Sequence, residues 1–209
     1  EIFVGAHVLQ VGAEKDIPFS KETLTGKAFE ALAEKDFTVL DDEAGERMKV
    51  LIQEARMNLT SVGGIIQCAV IGMPCGIGSP DKDNLEGVIA RNMFRVPAVK
   101  GIEFGLGFGF ASAYGHEVND EMRMENGKVV TETNHNGGIL GGICNGMPIV
   151  FQTVIKPTAS ISREQKTVNL AHMQDETLII KGRHDPCILS RASVVVESAA
   201  ALSVLEALS

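Results

Sequence analysis

The 209-residue chain has no tryptophan, one tyrosine and 5% aromatic residues in all. Its core must therefore rest on branched aliphatic side chains, methionine and a few phenylalanines. Positive charge is also scarce: 19 Lys and Arg against 27 Asp and Glu give a formal net charge of −8. A chain of that sign lacks the basic footprint of a general nucleic-acid binder. It still admits an anionic small ligand, because a few cations gathered in one pocket override the global field. The four cysteines, Cys68, Cys75, Cys144 and Cys187, form no C-x-x-C pair. That spacing argues against a metal site and fits reduced, partly buried thiols in a cytoplasmic protein. The opening residues do not read as a signal peptide. The longest apolar stretch, Pro186 to Ser209, carries Arg191, Glu197 and Glu206, each costly at a bilayer centre. Its small residues from Ser198 to Ser203 suit close packing, so it reads as a buried core helix and not a membrane span.

Apolar residues at 44% and charged residues at 22% are ordinary for a globular fold, and the length suits one domain spanning residues 1–209. The chain opens at Glu1 directly into strand-like Ile2-Phe3-Val4, which reads as a boundary inside a longer protein. Glu1 to Val11 predicts a strand. Ser20 fits the N-cap of a helix running to about Asp36, with Glu22 in its first turn. Asp42 to Asn58 has apolar Met48, Leu51, Ile52 and Ala55 at helical spacing. Gly63-Gly64 leads into a buried strand, Ile65 to Met73. Asp83 or Asn84 caps a third helix from Leu85 to about Arg95, ended by Pro97. A strand interrupted by Gly105, Gly107 and Gly109 is expected over Ile102 to Phe110. Asn126-Gly127 is a strong hairpin turn before a strand Lys128 to Thr133. Further strands are expected over Met147 to Ile155 and Thr177 to Ile180, with a loop from Lys156 between them. Helices and strands are mixed and hairpins outnumber βαβ units, so the prediction is an α+β fold with mostly antiparallel sheet.

Three segments carry chemical potential. Asn134 to Ile143 holds four glycines in six residues, which lets the backbone approach a ligand and aim successive amides at an anion. It matches neither a P-loop nor a dinucleotide fingerprint, and glycine-rich turns are mostly structural. Lys156-Pro157-Thr158-Ala159-Ser160 follows a strand end and combines a cation, two hydroxyls and free amides. That set suits a phosphate or a flavin edge, or else a solvated turn stiffened by proline. Lys181-Gly182-Arg183-His184-Asp185-Pro186-Cys187 offers an arginine fork for a carboxylate or phosphate. There Asp185 is either a working carboxylate or the cap of the last helix, and His184 either a proton-transfer group or a structural histidine. The residues alone lead to an anion-binding α+β domain and stop short of a reaction.

Taken in order, these segments resemble the chorismate synthase family, together with Pro97-Ala98-Val99-Lys100-Gly101-Ile102-Glu103-Phe104-Gly105. The similarity runs from about Glu1 to the end. It implies a β-α-β sandwich with helices held between antiparallel sheets, of which this chain is a part, and a homotetramer. It implies a 1,4-anti elimination of phosphate from 5-enolpyruvylshikimate 3-phosphate to give chorismate, using reduced FMN. By motif, Pro97, Ala98, Gly141, Lys156, Pro157, Thr158, Ala159, Ser160 and Arg183 are expected to line the flavin site. Arg183 is also expected to face the substrate, and Asp185 resembles the carboxylate that assists proton transfer. The family's amino-terminal motifs, Gly-Glu-Ser-His-Gly, Arg-Pro-Gly-His-Ala-Asp and Gly-Gly-Arg-Ser-Ser-Ala-Arg, are absent. Asn136 stands where alanine is common, and Gly78-Ser79-Pro80 replaces a usual Gly-Glu-Pro. The expectation is thus a chorismate synthase as the full-length protein and an inactive piece in isolation. The rival readings are a folded fragment with only an interface role, or a stand-alone anion-binding module.

Overall fold

The computed structural model describes residues 1–82 and 84–209. Its centre is a five-stranded antiparallel sheet in the order β2-β1-β3-β9-β4. The strands are β1 (Phe3–Val11), β2 (Glu14–Lys15), β3 (Gly64–Ile71), β4 (Val99–Phe104) and β9 (Ile149–Ile155). Register stacks Ala6, Cys68, Phe151 and Phe104 in one cross-strand row, and Val8, Ile66, Thr153 and Ile102 in the next. Alternation along each strand places these rows on the same face. Phe151 is fully buried there, with its ring 5.7 Å from that of Phe104. Truncating such a residue to alanine costs about 3–5 kcal/mol.

That face is covered by helices α2 (Asp42–Met57), α3 (Leu85–Phe94) and α4 (Leu189–Leu208). Along α4, Leu189, Ala192, Val196, Ala200, Ser203 and Val204 are buried, a stripe at helical spacing that lies on β1 and β3. Its buried hydroxyls are satisfied: Ser193 Oγ accepts from Thr38 Oγ1 at 3.0 Å, and Ser203 Oγ from Asn92 Nδ2 of α3 at 3.0 Å. The opposite face of α4 differs from expectation. Val194, Val195, Leu202 and Leu205 are between 47% and 64% exposed, so only one stripe of the helix is core.

On the sheet's other face α1 (Gly26–Ala33) packs against β1, and Gly5 is there because a Cβ would lie 2.5 Å from the Phe29 ring. Next to it His7 is fully buried between Asp16 and Gln67.

The α+β, antiparallel prediction holds, as do the strands at β1, β3 and β9 and the helices at α2 and α3. Asn84 caps α3, its side chain accepting from Gly87 N at 2.5 Å; Asp83, the alternative cap, lies outside the described residues. Asn126 and Gly127 both take positive φ and join β5 (Met122–Glu125) to β6 (Lys128–Thr131), as the turn signal predicts. Elsewhere the boundaries move. Thr25, not Ser20, caps α1; the Ser20 hydroxyl is engaged by Glu22, so the helix is shorter than expected. β4 ends at Phe104, because Gly105 and Gly107 turn the chain into a 3₁₀ segment over Gly107–Ser112. Two short strands, β7 (Ile139–Leu140) and β8 (Ile143–Cys144), fold the glycine-rich segment into a hairpin. An exposed hairpin, β10 (Gln165–Asn169) with β11 (Gln174–Leu178), occupies what reads as loop and a later strand. The last helix begins at Leu189 instead of just after Pro186, with Ile188 at its N-cap.

Candidate functional site

The expected residues gather where β9 ends. Lys156 N–H donates to the carbonyl of Ala98 at 2.9 Å, so the Pro97-Ala98 turn and the Lys156 loop are in direct contact. Ala98 has φ of +73°, a region that costs an alanine free energy and is held only where surroundings impose it. Two residues on, Lys100 is the extra residue of a bulge between β4 and β9, which bends the strand edge beside this loop.

The stretch after α2 joins this loop to the second cluster. Ser61 Oγ donates to the carbonyl of Thr158 at 2.6 Å, and Val62 N–H donates to the carbonyl of Pro186 at 2.8 Å. Two consecutive residues thus tie the Lys156 loop to the Arg183 loop. Gly63 must be glycine here, since a Cβ would stand 2.4 Å from the Ile155 carbonyl and 2.9 Å from Pro157 N. A cavity of about 400 Å³ opens between the end of α2 and the Gly182–Pro186 loop; Arg56, Thr60, Ser162, Arg183, His184 and Asp185 are in its wall.

Asp185 does not cap α4, because Pro186 and Cys187 separate it from the N-cap; its carboxylate instead accepts from Arg191 in the first turn of that helix. His184 donates from Nε2 to the Ile180 carbonyl at 3.0 Å, which leaves Nδ1 as the second ring position. Burial pushes the neighbouring Cys187 thiol up, so it is a protonated packing residue. Arg183 and Lys156 are exposed.

Gly141 is not brought to this cluster. It lies at the other end of the sheet, beside Gly142, whose carbonyl accepts from Leu85 N at 2.9 Å at the start of α3. The length of β9, about 20 Å, separates the two ends. The glycine-rich segment is held there by Asp120, which accepts from Thr133 Oγ1 at 2.7 Å, His135 N at 2.7 Å, and Asn136 N and Nδ2 at 2.8 and 2.7 Å. Burial alone raises a carboxyl's pKa, but these bonds outweigh it and hold Asp120 below the usual carboxylate range. A Cβ at Gly141 would meet nothing within 4 Å, so the hairpin tip is open on that side.

Sequence reasoning missed Arg56, Ser61 and Asp120. The first two lie on or just after a well-read helix, where only the adjacent Gly63-Gly64 pair hints at close backbone packing; a lone aspartate in a polar stretch gives no local signal. Among the described residues, no group of three or more His, Cys, Asp or Glu side chains could hold a metal ion. None of the described helices is long and apolar enough to cross a membrane.

The geometry can be set beside known proteins. The family model described as chorismate synthase matches residues 1–208. The chorismate synthase of Methanobrevibacter smithii is 46% identical over 162 residues, 78% of this chain and 44% of the relative. That of Lancefieldella parvula is 42% identical over 217 residues, 99% of this chain and 57% of the relative. A crystal structure of chorismate synthase superposes with a TM-score of 0.77 at 27% identity, covering 99% of this chain and 57% of that one. The chain spans about half the length of the curated relatives it matches. It belongs to the chorismate synthase family.

Proposed function

We propose that the full-length protein is a chorismate synthase, eliminating phosphate from 5-enolpyruvylshikimate 3-phosphate with reduced FMN as cofactor. The supporting observation is the meeting of the Ala98 turn, the Lys156 loop and the Arg183-to-Asp185 loop at one end of the sheet, stitched by Ser61 and Val62. The donor set fits a flavin. Lys156 is a cation at a strand end, the Thr158 and Ser160 side chains are hydroxyl donors, and Pro97, Ala98, Pro157 and Ala159 add backbone groups and compact side chains that suit a flavin ring. Gly141, beside the start of α3 at the other end of the sheet, stands outside this cradle.

In this reading the flavin, when bound, supplies transient electron density that eases departure of phosphate. Lys156 and Arg183 counter the negative charge of cofactor and substrate, and Arg183 orients the substrate through its two-pronged guanidinium. Asp185 holds the ring proton's route on its carboxylate, with Arg191 fixing the carboxylate's orientation. The protein is proposed to act in the cytoplasm as a homotetramer, with this chain as one domain of it, and without nucleic-acid or membrane partners.

The second reading is that this chain alone is a non-catalytic part of that enzyme. It is favoured by the apolar outer face of α4, where Leu202 is 63% and Leu205 64% exposed. A helical layer sandwiched between two sheets would cover that face with the second sheet. Anaerobic assay with reduced FMN and substrate separates the readings. Full-length protein is expected to release phosphate and chorismate, Asp185→Ala to lose most of that rate, and the isolated chain to show none. Equal turnover by the isolated chain would defeat the second reading; no turnover by the full-length protein would defeat the first.

A further inference from the structure

We propose that Arg56 is a further ligand-binding residue, forming with Arg183 the two jaws of a phosphate-monoester site in the cavity at the end of α2. The proposal rests on the reading of Arg183 given under the proposed function and extends it to an element that reading does not use. Arg56 comes from the last turn of α2 and Arg183 from the loop before α4, and both line the same cavity of about 400 Å³. Two exposed guanidinium groups in the wall of one cavity add to a local positive potential that an anion between them would relieve. The chain has carboxylates to spare, with 27 acidic residues against 19 basic ones, yet among the described residues none is paired with Arg56 or Arg183. Among the described residues, the arginine ion pairs are Arg47 with Glu14, Arg91 with Glu206, Arg123 with Glu125 and Glu132, and Arg191 with Asp185. Arg56 and Arg183 are in none of them. The one carboxylate in the cavity wall, Asp185, is taken by Arg191 from outside. The wall is therefore cationic, within a chain that is acidic overall.

The remaining polar lining suits the same ligand. Thr60 and Ser162 bring hydroxyl donors to the wall, and a phosphate monoester has enough acceptor oxygens for two arginine forks and both hydroxyls. A purely structural role for Arg56 exists, since a cation in the last turn of a helix complements its free carbonyls. That role affects stability and is blind to the ligand's phosphate.

Two molecules bring a phosphate monoester to this end of the sheet: FMN and the substrate. In the full-length protein, binding of FMN is compared with that of riboflavin, and binding of 5-enolpyruvylshikimate 3-phosphate with that of its 3-hydroxy counterpart. Arg56→Gln is expected to weaken one phosphate ligand about tenfold or more, as loss of a charge-assisted contact does. Its phosphate-free counterpart should bind as to wild type, and Arg56→Lys should recover part of the loss. Loss confined to FMN assigns the cavity to the flavin phosphate; loss confined to the substrate assigns it to the phosphate that leaves. If both phosphate ligands bind Arg56→Gln as tightly as wild type while Arg183→Gln weakens them, Arg56 is a helix-end charge and the proposal is overturned with the function intact. If Arg183→Gln also binds and turns over normally, the reading of Arg183 fails as well.

Discussion

Replacing Asp16 by asparagine tests the idea that a buried carboxylate organises the edge of the sheet. The side chain is fully buried and its two oxygens accept four bonds. Oδ2 takes His7 Nδ1 at 2.9 Å and Leu40 N–H at 2.6 Å; Oδ1 takes Ile17 N–H at 2.9 Å and Asp41 N–H at 2.9 Å. Asparagine keeps the shape but has one acceptor oxygen, so its NH₂ must face one pair of donors. Two buried donors are then left opposed, at about 1–3 kcal/mol each. The expected loss is about 3–5 kcal/mol. It should appear as a lowered denaturation midpoint and as faster hydrogen exchange at the Leu40 and Asp41 amides in the full-length protein. The pH dependence follows from the direction of the shift. Burial pushes the Asp16 carboxyl up, but its bonds to His7, Leu40 and Asp41 win and hold it below the usual aspartate value. Its contribution is therefore complete above about pH 4, near the unfolded pKa, and fades as pH falls through the lower folded value. Wild type and variant should converge in stability at acid pH. A difference under about 1 kcal/mol at pH 7, or one that persists undiminished at pH 2, would refute the reasoning.

Asp120→Asn probes the glycine-rich hairpin in the same way. Asp120 sits at φ of +45°, which asparagine tolerates, so the swap isolates the carboxylate, and a loss of about 2–4 kcal/mol in local stability over residues 133–137 is expected by hydrogen exchange. Unchanged protection there would show that Asp120 is not the clamp. Gly63→Ala forces a Cβ to within 2.4 Å of the Ile155 carbonyl, so β3 and the Lys156 loop must part. FMN affinity should fall together with stability; a fall in stability alone would mean that the loop position does not matter to the flavin. Ser61→Ala removes only the bond to the Thr158 carbonyl, at about 1 kcal/mol, and should weaken FMN binding with little change in fold as read by circular dichroism.

Most of the framework was readable because its signals are local. β1, β3 and β9 are dense in β-branched residues, and α2 and α3 carry apolar stripes between acidic starts and clear stops. The misreadings also have local causes. Ser20 and Thr25 are both plausible hydroxyl caps, and what separates them is that Ser20 is already bonded to Glu22 and Thr23. β10 and β11 form an exposed hairpin whose strands alternate too weakly to stand out from a loop. The expected strand over Ile102 to Phe110 lies too far along the chain because Gly105 and Gly107 look like interruptions of a strand, whereas β4 ends before them.

The candidate site divides along the same line. Lys156, Arg183 and Asp185 announce their chemistry by residue type within seven-residue windows, so they were legible. Their convergence was not, because it is made by Ser61 and Val62 from 97 residues away in the case of Thr158, and by backbone groups that any residue carries. Backbone hydrogen bonds leave no mark on composition or periodicity; only the glycine that must sit beside them, Gly63, does. The outer face of α4 is a converse case. Its apolar residues read as core in sequence, and the structure leaves them exposed. Both facts are consistent once the helix is taken as the middle layer of a sandwich, since a middle layer needs apolar residues on two faces while one sheet covers only one.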